Sequence, residues 1–167
     1  MINKVLPYKK YTFHPPLSKE EIIINLKNSI DLERSFGFGG ANIKYSKPYV
    51  GIVYGNLFEM KRVIDYKNAF IPQIKGEIIE NENGIFVNIE MKLLGYIQAF
   101  LLVWFGFCLF FCSFILILAI FKENINVSMV FFLLFMFVMG ATIVYSGFES
   151  EADSTKRDLE KILCIKK

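Results

Sequence analysis

Apolar and polar positions follow three regimes along this chain. Up to residue 92 they interleave at short period, from Leu93 to Phe148 they form two nearly unbroken apolar runs, and beyond that they interleave again. In the first regime Ile85, Val87, Ile89 and Met91 alternate with Phe86, Asn88, Glu90 and Lys92. That period of two predicts a strand with one buried and one solvated face. Tyr8 to Phe13, Tyr49 to Tyr54, Leu57 to Asp65 and Pro72 to Glu80 read as further strands. Gly55-Asn56 and Asn83-Gly84 are two-residue hairpin signals, since such turns need positive φ angles. Pro15-Pro16 ends the first strand, because proline has no N–H to give to a ladder. From Ser18 to about Glu33 the period becomes helical: Ile22, Leu26 and Ile30 recur every four residues, with Ile23 beside them. Ser18 followed by Glu21 forms a capping box. Phe36-Gly37-Phe38-Gly39-Gly40 reads as a turn with positive φ; a phosphate-binding loop would need a strand before it and a helix after it.

The two apolar runs, 29 residues from Leu93 to Phe121 and 22 from Val127 to Phe148, contain no charge. A helix needs about 20 apolar residues to cross a bilayer, so two transmembrane helices are expected. The link Lys122-Glu123-Asn124-Ile125-Asn126 is short enough to force an antiparallel hairpin. Of the 19 Lys and Arg residues, one lies in that link. The excess of positive charge on the other side predicts cytoplasmic termini. The first residues lack the apolar core of a signal peptide, so the first run is expected to act as a retained insertion signal. The expected architecture is an α+β membrane protein. A cytosolic domain over 1–92 holds a strand, a helix and a four-stranded antiparallel meander. A transmembrane helical hairpin over 93–148 (spans 93–121 and 127–148) follows, and then a C-terminal amphipathic helix over 149–167. Leu159, Ile162 and Leu163 form the apolar face of that helix, and docking on the domain is the most economical use of it.

Composition sharpens this picture. The 167 residues are 54% hydrophobic with a net charge of +3, and the mean hydropathy is +0.41. Those values exclude a soluble single domain, a disordered chain and a collagen-like repeat. The spans carry no ionisable Asp, Glu, Lys, Arg or His, which argues against a pump or coupled transporter. Cys108 and Cys112, one turn apart, read as small packing residues. Neither they nor Cys164 suggest a disulfide framework. His14 is the single histidine and precedes two prolines. No metal site, cofactor, nucleophile–base pair or other catalytic constellation is expected, and no basic stripe points to nucleic acid.

One position breaks the pattern. Arg62 shares a strand face with Phe58, Met60 and Ile64. A charge on a core face needs a specific partner. Asp65, Glu77 or Glu59 could form a structural ion pair with it; alternatively, its forked donors suit an external carboxylate or phosphate. The polar-aromatic connection from Asp65 to Pro72 lies beside it. Arg62, Tyr66, Lys67 and Asn68 are therefore the candidate ligand or partner contacts.

The stretch FEMKRVIDYKNAFIPQIKG, from Phe58, resembles a family of small bacterial membrane proteins with two transmembrane helices and no assigned activity. In that family an Arg-bearing strand leads into a Tyr-basic-Asn-Ser-Phe-x-Pro-x-Ile-x-Gly run. The matching residues are Arg62, Tyr66, Lys67, Asn68, Phe70, Pro72, Ile74 and Gly76, and Ala69 departs from the serine. The likeness spans most of residues 8–110 and implies the bacterial inner membrane and this architecture, without chemistry. The expected function is a membrane-anchored, non-enzymatic binding or scaffold module. Its expected partners are the lipid bilayer and either a protein or a second copy engaged through the hairpin. The alternative is a subunit of a membrane complex, or a pore-type effector, that works through that hairpin.

Overall fold

The computed structural model describes residues 6–32, 45–82, 84–121 and 128–165. The elements run β1 (Tyr8–Phe13), α1 (Lys19–Ser29), β2 (Ile30–Leu32), β3 (Tyr49–Tyr54), β4 (Leu57–Arg62), β5 (Gln73–Asn81), β6 (Gly84–Lys92), α2 (Gly95–Phe121) and α3 (Ser128–Ile162). The fold is α+β, with one six-stranded sheet in the order β1-β6-β5-β4-β3-β2. The expected meander β3 to β6 forms the centre of the sheet, and β1 joins it by antiparallel pairing along β6, Tyr8 opposite Lys92. Gly55, at φ +58°, turns the β3–β4 hairpin and sets Tyr54 opposite Leu57. At the β5–β6 hairpin Asn81 pairs with Gly84, which draws Gly84 into the strand; Asn83 lies outside the described residues, as do the Phe36 to Gly40 turn and the link from Lys122 to Val127.

Besides β4, which ends at Arg62 where a strand to Asp65 was expected, two boundaries differ from expectation. The helix predicted to reach Glu33 stops at Ser29, and Ile30–Leu32 pairs in parallel with Tyr49–Gly51 as β2. The Ser18–Glu21 capping box starts α1 as predicted. At its other end long-range bonds override helical propensity. Lys47 Nζ donates to the carbonyls of Lys27 (2.7 Å) and Ile30 (3.1 Å), and the Asp31 carboxylate accepts from the backbone N–H groups of Ser46 and Lys47. Ile30 is buried either way, so the four-residue repeat marked the right core position through the wrong element.

The second difference is larger. The segment read as a second span and a separate C-terminal helix is one uninterrupted helix of 35 residues. At 1.5 Å per residue it is about 52 Å long, against about 30 Å for a hydrocarbon core. Its first part packs on α2, where Phe105 and Phe137 meet with ring centroids 4.8 Å apart. Its last part lies on the sheet, joining one continuous core with α1. Ile22 and Leu26 of α1 meet Phe58, Met60, Ile74, Ile89 and Met91 of the sheet and Phe148, Ala152 and Leu159 of α3. Asn25 of α1 donates to the carbonyl of Ile162 at 3.1 Å. The helices α2 and α3 are long and apolar enough to cross a membrane.

Candidate functional site

The site is built where the sheet meets α3. Tyr49 begins β3 and Arg62 ends β4, directly opposite each other in the antiparallel ladder. Strand alternation turns Arg62 toward the helix-covered face, together with Phe58 and Met60. Its partners are neither Glu59, Glu77 nor Asp65. Alternation sends Glu59 and Glu77 to the opposite face, where Glu59 pairs with Lys75 at 3.1 Å, and Asp65 is exposed. The partners come from α3: Arg62 Nη1 lies 3.3 Å from Glu151 Oε2, and Nη2 lies 3.6 Å from Asp158 Oδ2.

Glu151 is 2% exposed, a carboxylate inside the core layer. Besides Arg62 it accepts from the Tyr66 hydroxyl and, at 3.3 Å, from Asn68 Nδ2. Asn68 Nδ2 also reaches the Gly147 carbonyl at 3.3 Å, and its Oδ1 accepts from the backbone N–H of Phe70 at 2.9 Å. A Cβ placed on Gly147 would stand 3.0 Å from the Phe70 ring and 3.4 Å from Asn68 Oδ1, so the connection after β4 closes on α3 only because that position lacks a side chain. Two turns further along, Asp158 Oδ2 accepts from the fully buried Tyr49 hydroxyl at 3.1 Å. Between the two carboxylates sits Thr155, fully buried, whose Oγ1 has no hydrogen-bond partner among the described residues.

These surroundings fix protonation states. The hydrogen bond to Glu151 holds the Tyr66 phenol above its ordinary range, because ionising it would put two negative oxygens face to face. Burial pushes the Tyr49 phenol up, and the charge of Asp158 adds to it. One guanidinium bridges two carboxylates of its own chain; Tyr66 and Asn68 are spent on Glu151 and Tyr49 on Asp158.

Of the four candidate residues, Arg62, Tyr66 and Asn68 converge on Glu151. Lys67 stays apart; it is exposed, with no ion pair among the described residues. Glu151 and Asp158 escaped sequence reasoning. The available signal was helical register: Val144, Phe148, Glu151, Thr155 and Leu159 continue one stripe at spacings of three and four. A break placed after Phe148 hid it.

A second clasp holds the other flank of α3. Lys9 of β1 lies 2.5 Å from Glu149 and 2.8 Å from Asp153, and Lys156 stands 5.2 Å over the Tyr11 ring. Burial opposes the charge on Lys9, but its bonds to Asp153 and Glu149 outweigh that and hold its ammonium above the ordinary range; the same bond holds Asp153 below the carboxylate range.

Comparison with known proteins gives no match to a family model, a curated protein or a solved structure.

Proposed function

We propose that this chain is a membrane-anchored, non-enzymatic binding or scaffold module. In this reading α2 and the first part of α3 anchor it in the bacterial inner membrane with both termini cytoplasmic. The likeness to the two-span bacterial family belongs to the same proposal. One observation carries it: α3 leaves the apolar hairpin without a break and becomes a core element of the sheet domain, fixed there by Arg62, Tyr66 and Asn68 on Glu151. A domain tethered by a flexible linker samples many orientations over a membrane. A domain built around the anchoring helix presents one surface in one orientation, which suits holding a partner in place. Arg62 in this reading is a fastening within the chain.

The test is fractionation followed by mass measurement. Membranes holding the protein are washed with alkaline carbonate, and the protein is then purified in mild detergent and weighed with whatever remains bound. Retention in the washed membranes together with a stoichiometric bound partner is expected. Release into the wash overturns the anchor. Retention with only copies of the chain in the particle replaces the scaffold reading with assembly through the hairpin.

A further inference from the structure

Below the Glu151 cluster, a groove of about 210 Å³ runs between α2 and α3, lined by Phe70, Phe100, Trp104, Met136, Gly140 and Ile143 among others, without any polar surface. Its two walls are the helices read here as membrane spans, so the inference rests on that reading. Gly140 lines it opposite Trp104: a Cβ there would stand in ordinary contact, 3.6 Å from Nε1, and a longer side chain would enter the groove. A groove with wholly apolar walls at membrane depth calls for an occupant that is mostly hydrocarbon.

The end of the groove nearest the sheet is closed by Phe70. That side chain belongs to the connection whose Tyr66 and Asn68 are tied to Glu151. With the residues on either side of it turned inward, Lys67 is held outward. It is three positions from Phe70 in the chain, a reach of at most about 10 Å. An exposed, unpaired cation therefore stands at headgroup level above a groove of acyl-chain character.

We propose that this groove binds one acyl chain of an anionic glycerophospholipid, with Lys67 against the phosphate. The source is the surrounding bilayer. The connection after β4 is the part of the domain that reads the lipid, and the Glu151 cluster is what holds it in register.

Trp104 is the single tryptophan of the chain, so its fluorescence reports on the groove without labelling. The full-length protein is reconstituted into phosphatidylcholine vesicles that contain a minor fraction of either brominated phosphatidylglycerol or brominated phosphatidylcholine. Local enrichment of the anionic lipid by about fivefold is expected from one lysine at an anionic headgroup, read as stronger quenching by the brominated phosphatidylglycerol. Lys67→Glu, at an exposed position, is expected to erase the difference, and Gly140→Leu to reduce quenching by both lipids. Equal quenching by the two lipids overturns the proposal, as does unchanged quenching in Gly140→Leu. Absence of quenching by either, with protein floating on the vesicles, also overturns it, because a protein surface or a second copy then covers the groove. Failure to float with the vesicles overturns the membrane reading itself.

Discussion

The two clasps on α3 use the same chemistry in different surroundings. On one flank Lys9 pairs with Glu149 and Asp153, whose side chains are 55% and 54% exposed. On the other, Arg62 pairs with Glu151 at 2%. The exposed pair exchanges one hydrated arrangement for another, and such pairs contribute about 0–1 kcal/mol. The buried carboxylate has surrendered its water and depends on three protein donors. Its value lies less in net attraction than in the penalty for leaving any member alone. Position along a helix therefore does not reveal what an ion pair does; the number of donors replacing water does.

The largest expected effect breaks the buried clasp. Glu151→Ala leaves Arg62 with Asp158 alone and frees Tyr66 and Asn68, at a cost of about 3 kcal/mol, the low end for a broken buried pair. Thermal unfolding in detergent measures it, and a loss no larger than that of Lys9→Met erases the distinction between the clasps. Replacing both partners, Arg62→Met with Glu151→Leu, is expected to recover most of that loss, since no buried charge is then left unpaired.

Next in size is steric. Gly147→Leu drives a side chain into Phe70 and Asn68 and is expected to cost about 1–3 kcal/mol. Protease nicking between Asp65 and Phe70 should rise with it; an unchanged cleavage rate argues against the close approach. Tyr66→Phe removes one of the three donors to Glu151, for about 1–2 kcal/mol by the same unfolding measurement.

Alkali addresses both clasps. The ordinary values are 10.0 for Tyr49 and Tyr66 and 10.5 for Lys9, and folding raises all three. Groups of this kind give stability that is full below their unfolded-state values and is lost as pH rises through the folded ones. Stability is therefore expected to hold to about pH 10 and then fall. Ultraviolet titration should find the Tyr49 phenol ionising last and together with unfolding. The smallest effect is acidic. Asp153, lowered by Lys9, contributes above its unfolded value of 3.8 and loses that contribution as pH falls through its folded value. Lys9→Met should cost under about 1 kcal/mol at neutral pH and flatten that part of the acid limb.

What the sequence revealed follows the range of the forces involved. The strand alternation of Ile85 to Met91, the Ser18–Glu21 box and the Gly55-Asn56 turn are local, and each stands where it was read. Arg62 was legible as an anomaly because a charge broke a local face. Its partner was not, because Glu151 lies 89 residues away and joins the core only if the helix continues through Gly147 and Phe148. Composition suggested a boundary there, where apolar residues give way to charged ones. The backbone has none, since a helix does not need to end where its solvent changes. The short β2 was equally hidden, because it exists through pairing with β3 and bonds to Lys47.

The place of α3 in the chain has a consequence for the protein's making. Strands β1 to β6 are synthesised first, yet three of the residues that cover their apolar face, Ala152, Leu159 and Leu163, follow both apolar segments. During synthesis α1 alone lies over that face until the end of α3 emerges. In the membrane-anchored reading proposed above, completion of the sheet domain's core thereby becomes a check on insertion. In that reading, a nascent chain whose hairpin enters the bilayer inverted or incomplete keeps part of its sheet face exposed and is marked for chaperones and proteases by that exposure.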